Sequence, residues 1–144
     1  MSSSEFDIRE VTSWAEMARA EATIPEFEQA HSPERFRARL EGRPFLALVA
    51  YHGSRVAGYK IGYGETESRF YSWVGGVHPD FRGQGLAREM LRHQEIWCRR
   101  QGYRSLAVKS ENRFRGMLIF LLKEGYDIHA LSQAGQISFL KSLE

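Results

Sequence analysis

The segment Val77-His78-Pro79-Asp80-Phe81-Arg82-Gly83-Gln84-Gly85-Leu86-Ala87 constrains this chain more than any other. It reads as a strand ending at Val77, a turn through Pro79, and a glycine-rich bend that opens directly into a helix. Glycines at 83 and 85 let backbone N–H groups approach a ligand with no side chain in the way. The first N–H groups of a helix lack internal partners, and the helix dipole adds partial positive charge there. Together these features predict a nest for an anion, most naturally a phosphate or pyrophosphate. The P-loop pattern is excluded, because no Gly-Lys-Ser/Thr follows the glycines. The dinucleotide fingerprint fails as well: it needs a third small residue where Arg88 stands.

The rest of the chain supplies alternating elements with neither repeat nor linker. Residues 6–11 read as a strand, and Ser13 with Glu16 is a capping box starting a helix to about residue 21. Ser32-Pro33 starts a second helix, ended by Gly42. Residues 45–51 are a near-continuous apolar run, as in a strand buried on both faces. After a turn at 52–55, Ala57, Tyr59, Ile61 and Tyr63 alternate as the hairpin partner. A further strand spans 70–77. The helix after the glycines places Leu86, Ala87, Met90, Leu91, Gln94, Trp97 and Cys98 on one face and stops at Gly102. A strand at 105–109 precedes an amphipathic helix marked by Phe114, Met117, Leu118, Leu121 and Leu122 and closed by Gly125. Strands at 126–130 and 136–140 complete the series.

A chain of 144 residues, 42% hydrophobic and 26% charged, matches one soluble globular domain over 1–144, with a loose terminus at 1–4. No apolar run approaches the ~20 residues of a membrane span, and no secretory signal is visible. A single cysteine permits no internal disulfide and suits a reducing, cytoplasmic setting. The net charge of +2 is scattered along the chain, which argues against a nucleic-acid binder despite a pI of about 8.8. His31, His52, His93 and His129 show no metal-ligand spacing with Cys98, so no metal site is expected. Cys98 reads as a core residue, and His78 as a structural part of its turn.

The pattern Arg82-x-x-Gly85-x-Ala87 resembles the acyl-coenzyme A pyrophosphate loop of GNAT-superfamily N-acetyltransferases, and the wording Val77 to Gly85 is close to that family. The order of strands and helices is also the GNAT order, so the resemblance covers nearly the whole chain. It implies an α/β, single-domain GNAT fold with a mixed central sheet and helices on both faces. It further implies acetyl-CoA as co-substrate, with the pyrophosphate on Arg82, Gly83, Gln84, Gly85, Leu86 and Ala87. The contacts are expected mostly from backbone N–H groups, with Arg82 orienting the loop.

The same resemblance lays the pantetheine arm between the strand ending at Val77 and the strand at 105–109. Gly75-Gly76 suits a bulge there, and the Val77 N–H is the candidate for polarising the thioester carbonyl. Asn112 is either the family's pantetheine contact, one residue displaced, or a plain helix N-cap.

Catalysis is less legible. The family's strand Glu is missing, since Tyr71, Ser72 and Trp73 stand on that strand. Glu26 and Glu65 are the candidate general bases, with Glu28 and Glu67 behind them, and each also fits a solvated loop charge. The family's general-acid Tyr position holds Leu121. Tyr63, Tyr71 and Trp73 are candidates to line an acceptor pocket, and acidic loops point toward a cationic acceptor. The expected function is acetyl transfer from acetyl-CoA to a primary amine of a small molecule or peptide, by direct attack in a ternary complex. A non-catalytic acyl-CoA sensing module is the alternative. Neither nucleic acid nor membrane is expected as a partner, and homodimerisation stays open.

Overall fold

The computed structural model describes residues 5–25 and 30–144, so the loose terminus expected at 1–4 lies outside the described residues. Strand β1 (Asp7–Glu10) leads through Ser13 into helix α1 (Trp14–Ala22). The Ser13 hydroxyl oxygen accepts the Glu16 N–H at 3.1 Å, one half of the expected capping box. Helix α2 (Pro33–Leu40) starts in the same way: the Ser32 Oγ accepts the Arg35 N–H at 3.2 Å, and Pro33 sits in the first turn, where its missing N–H has no partner to lose.

Strands β2 (Phe45–His52), β3 (Arg55–Gly64) and β4 (Arg69–Val77) then run as an antiparallel meander beside β1. Helix α3 (Leu86–Gln101) crosses over to β5 (Ser105–Glu111), which lies parallel to β4; parallel neighbours require such a crossover. Helix α4 (Arg115–Lys123) and the hairpin of β6 (Asp127–Leu131) and β7 (Gln136–Ser142) finish the chain. The seven strands stand in the order β1-β2-β3-β4-β5-β7-β6, antiparallel everywhere except β4–β5.

Each face of this mixed sheet carries helices. Met90, Leu91 and Cys98 of α3 and Leu121 of α4 are buried with Leu48, Phe70 and Phe139 on one side. Met17 of α1 and Phe36 and Leu40 of α2 are buried with Val49, Tyr59 and Ile61 on the other. Burying each such side chain stabilises the fold by roughly 1.5–3 kcal/mol. One polar knot joins α3 to the last hairpin. The buried Glu95 carboxylate accepts from Tyr126 Oη at 2.7 Å and from Lys141 Nζ at 3.1 Å. Burial, then that carboxylate, drives the Tyr126 phenol far above its ordinary range.

Two expectations are corrected. The stripe Phe114, Met117, Leu118, Leu121 and Leu122 does not face the core as a unit. Leu121 is buried and Leu118 packs partly against the core, whereas Phe114, Met117 and Leu122 are exposed. An apolar period marks a face, but whether anything lies beneath it depends on where the helix docks. The bulge expected at Gly75-Gly76 sits instead at Trp73. Ile61 pairs with Val74 and Gly62 with Ser72, so Trp73 is the extra residue. Gly75 has a packing reason to be small: a Cβ there would lie 3.1 Å from the Tyr59 carbonyl oxygen.

Candidate active site

Strands β4 and β5 pair only from Arg69↔Ser105 to Ser72↔Val108. Beyond Ser72, β4 pairs with β3 alone, and β5 beyond Val108 pairs with β7 alone. The edge of β4 from Trp73 to Val77 therefore faces no strand and offers backbone groups to an extended ligand. Backbone N–H groups alternate between the two edges of a strand. The His78 N–H points to the Ala57 carbonyl of β3 at 2.8 Å, so the Val77 N–H points to the open edge.

The turn after Val77 is firmly held. A 3₁₀ turn, Pro79–Phe81, is capped by His78, whose Nδ1 accepts the Asp80 N–H at 3.1 Å. Asp80 takes Arg55 at 2.7 Å, and the Arg55 guanidinium lies 4.8 Å over the Phe81 ring. Hydrogen bonding from Arg55 holds the Asp80 carboxyl below the usual range. Arg82 Nε donates back to the Val77 carbonyl at 3.0 Å, clamping the loop to the strand end. Gly83 and Gly85 then adopt φ of +76° and +83°, a region that disfavours other residues, and a Cβ at either would meet nothing within 4 Å. Gly85 is the N-cap of α3 with no side-chain cap, and the first internal bond comes from Glu89 N–H to the Gly85 carbonyl. The opening N–H groups of α3 thus face open space. Gln84 is exposed, Ala87 half-buried, and Leu86 buried as the anchor.

Asn112 lies at the end of β5, on the opposite flank of the opening. Its N–H donates to the Gly135 carbonyl at 2.8 Å, and its own carbonyl accepts Arg115 Nε at 3.2 Å. Phe114 occupies the N-cap position of α4, which corrects the capping alternative for Asn112.

On the other face of the sheet, the bulge residue Trp73 meets α2. A pocket of about 300 Å³ is lined by His31, Arg35, Ala38, Arg39, Arg43 and Trp73. The Arg39 guanidinium lies 4.7 Å over the Trp73 ring and donates to Tyr63 Oη at 3.1 Å. Tyr63 in turn packs edge-on against Tyr71 with ring centroids 5.6 Å apart. Behind the pocket, the Glu21 carboxylate is buried. It accepts from the His31 backbone N–H, from His31 Nδ1 at 2.8 Å and from Tyr59 Oη at 2.8 Å. Burial, reinforced by Glu21, raises the Tyr59 phenol far beyond its normal titration.

The sequence model of the acetyltransferase (GNAT) family matches residues 11–116, from the end of β1 to the start of α4. The chain belongs to the GNAT acetyltransferase family. Its fold agrees with that of ribosomal-protein-S18-alanine N-acetyltransferase from Escherichia coli: TM-score 0.80 at 15% identity, covering 96% of this chain and 94% of that one. Ard1 from Thermoplasma volcanium superposes with TM-score 0.80 at 15% identity, over 96% and 98% of the two chains. A GNAT family acetyltransferase from Elizabethkingia anophelis with acetyl-CoA bound gives TM-score 0.75 at 14% identity, over 96% and 98%. At such identities the likeness is one of fold. No curated protein matches the chain.

In this GNAT-family frame the acid–base residues fall as follows. Leu121, at the position of the family's Tyr, is 1% exposed and packs into the α3–α4 core. Glu26 and Glu28 lie outside the described residues. Glu65 lies in the β3–β4 turn, 4.0 Å from Arg69, which itself stands four residues, about 13 Å of strand, before Trp73. It does not line the pocket. Glu67 shares that exposed turn. Sequence reasoning missed the Glu21–His31 pair and the arginines of α2. Glu21 and His31 are ten residues apart, with nothing in their spacing to signal contact. Arg35 and Arg39 are one helical turn apart, a legible hint that they share a face. The formal charges of the described lining of this pocket are positive, from Arg35, Arg39 and Arg43. Among the described residues, no group of three or more His, Cys, Asp or Glu is placed to hold a metal ion, and no helix is long and apolar enough to cross a membrane.

Proposed function

We propose that this protein transfers the acetyl group of acetyl-CoA to a primary amine of a small molecule or peptide. The observation that carries the reading is continuity. The unpaired edge of β4 runs from Trp73 to Val77 and straight into the open, uncapped start of α3. Membership of the GNAT family and the acetyl-CoA in the Elizabethkingia neighbour support the choice of co-substrate. In this reading the pyrophosphate rests on the N–H groups of Gly83 to Ala87, with Arg82 holding the loop. The pantetheine lies along the β4 edge as an added strand, flanked by Asn112. The Val77 N–H, facing that edge, polarises the thioester carbonyl.

The amine attacks the carbonyl carbon directly in a ternary complex. The C–N bond forms, the C–S bond breaks, and the amine proton must go to a base. His31 suits that role better than Glu65, because it lines the pocket beside Trp73. A carboxylate only accepts hydrogen bonds, so Glu21 places the imidazole proton on Nδ1 and leaves Nε2 as the acceptor. Glu26, five residues earlier in the sequence, stays a candidate. With Leu121 in the core, the thiolate leaves without a Tyr acid; a thiol pKa of about 8.5 makes that tolerable.

Leu121 also favours a second reading, a non-catalytic acyl-CoA sensing module. Calorimetric titration with acetyl-CoA, with Gly85→Trp as the blocked variant, tests the cofactor site. Thiol release over an amine panel then separates enzyme from sensor: tight binding without turnover favours the sensor. Loss of wild-type binding altogether would remove both. Homodimerisation, left open by the sequence, is supported by Ile128 and Leu131 on edge strand β6 and Ile119 and Leu122 on α4, all exposed. Sedimentation across a concentration series checks it.

A further inference from the structure

We propose that the amine acceptor is a small molecule carrying an anionic group, a carboxylate or a phosphate, held by Arg35, Arg39 and Arg43 in the pocket beside Trp73. This rests on the acetyl-transfer reading and narrows its acceptor. Among the described residues, many arginines spend their charge on a nearby carboxylate. Arg37, on the outer side of the same helix α2, takes Glu41 at 2.6 Å, and Arg55 takes Asp80 at 2.7 Å. The three pocket arginines have no such carboxylate among the described residues.

Their charge is also gathered in one concavity rather than spread over a surface. Arg39 is pinned before any ligand arrives, 4.7 Å over Trp73 and 3.1 Å from Tyr63 Oη, and Arg43 lies 5.1 Å over the Tyr63 ring. A guanidinium stacked by its face keeps its edge donors free to fork a planar carboxylate or a phosphate. The ordering entropy of that side chain is already lost, so less is lost on binding. Three like charges in one pocket repel a polyamine or a lysine side chain, which argues against the cationic acceptors that loop acidity suggests. About 300 Å³ is the small end of ligand pockets and suits a small molecule. Trp73, which Arg39 covers, is the bulge residue just past the last β4–β5 pair. An anion held by Arg39 therefore sets its own amine next to the cofactor edge.

Matched acceptors test this with acetyl-CoA as donor: alanine against alaninamide, 2-aminoethyl phosphate against ethanolamine, and putrescine as the cation. The expected result is a kcat/KM about tenfold or more higher for one anionic member than for its neutral match. Whichever pair shows it identifies the carboxylate or the phosphate as the group held. In Arg39→Gln and Arg43→Gln that ratio falls toward one, through KM. In Arg37→Gln, whose arginine pairs with Glu41 and does not line the pocket, it persists. Equal rates within both pairs, or preference for putrescine, overturn the inference. If no probe is acetylated, the Trp73 indole N–H signal, assigned with Trp73→Phe, decides. A saturable shift with alanine or 2-aminoethyl phosphate, lost in Arg39→Gln, supports the anion site, and no saturable shift with either overturns it. Acetyl-CoA titration of the same samples keeps the two claims apart. Absent cofactor binding sinks the transfer reading, while the indole signal still reports on the pocket.

Discussion

His31 shows how one residue is made by its neighbours. Alone it is a half-exposed imidazole; beside the buried Glu21 carboxylate its tautomer is set, and its ring packs 4.9 Å from Trp73 and 5.3 Å from Phe36. His31→Gln should lower kcat by about a hundredfold while leaving acetyl-CoA affinity unchanged, the usual size of a lost general base. Steady-state kinetics with calorimetry checks this, and an unchanged kcat returns the role to Glu26. Glu21→Gln should lose less, since Glu21 orients rather than touches the acceptor. Cys98 makes the opposite case. Burial, then the Glu95 charge, pushes its thiol up to about 12. Iodoacetamide should leave the native protein unlabelled and modify one site after denaturation, read by intact mass. A thiol-release assay for coenzyme A is then free of background from the enzyme itself.

At the scale of elements, the bulge in β4 and the shape of β3 create the working geometry. Trp73, the inserted residue, and the neighbouring Val74 both pack toward α1 and α2, so the strand bends just where its pairing with β5 ends. Lys60 of β3 lies against this part of β4, paired with Gly75, and a Cβ on Gly75 would come 3.4 Å from the Lys60 Cγ. The residue as a whole is half-buried, yet burial of its amine lowers the pKa from 10.5 to about 8, against the opposing pull of Glu95. Between those values the folded chain binds fewer protons than the unfolded one, so this amine makes stability rise with pH across the window. Below pH 8 the buried charge is carried in full. Lys60→Met should therefore stabilise the protein at pH 7, by on the order of 1 kcal/mol, with the gain fading toward pH 10.5. Thermal melts of both proteins at the two pH values check it, and a gain independent of pH removes the titration as the cause.

For the molecule as a whole, two antiparallel halves meet along only four parallel residue pairs, and the proposed cofactor site is the gap where they part. A ligand filling that gap bridges both halves and binds only the folded state. Acetyl-CoA at a hundred times its Kd should stabilise the protein by about 2.7 kcal/mol and raise Tm accordingly. Gly85→Trp should melt somewhat lower without ligand, by the roughly 1–2 kcal/mol that a side chain at positive φ costs, and gain nothing from acetyl-CoA. Equal ligand-induced shifts in the two proteins would move the cofactor away from the glycine loop.

The order of elements, the two serine caps, the glycine-rich entry to α3 and the family itself were legible along the chain, because each depends on residues close in sequence. Ser13 with Glu16, Pro33 after Ser32, and Arg82 before Gly83 and Gly85 are local chemistry, and local chemistry survives without knowledge of neighbours. The pocket beside Trp73 was not legible. Glu21 reaches His31 across a loop, Arg39 reaches Tyr63 across 24 residues, and Trp73 becomes a pocket wall only because the β3–β4 register slips by one. Likewise the period of α4 revealed its apolar stripe but not that Phe114, Met117 and Leu122 lie outside the core. Sequence alone determined which elements form and where the glycine-rich, uncapped start of α3 opens. Tertiary structure alone decided which charges converge on the pocket beside Trp73, because convergence depends on packing between segments that share no spacing rule.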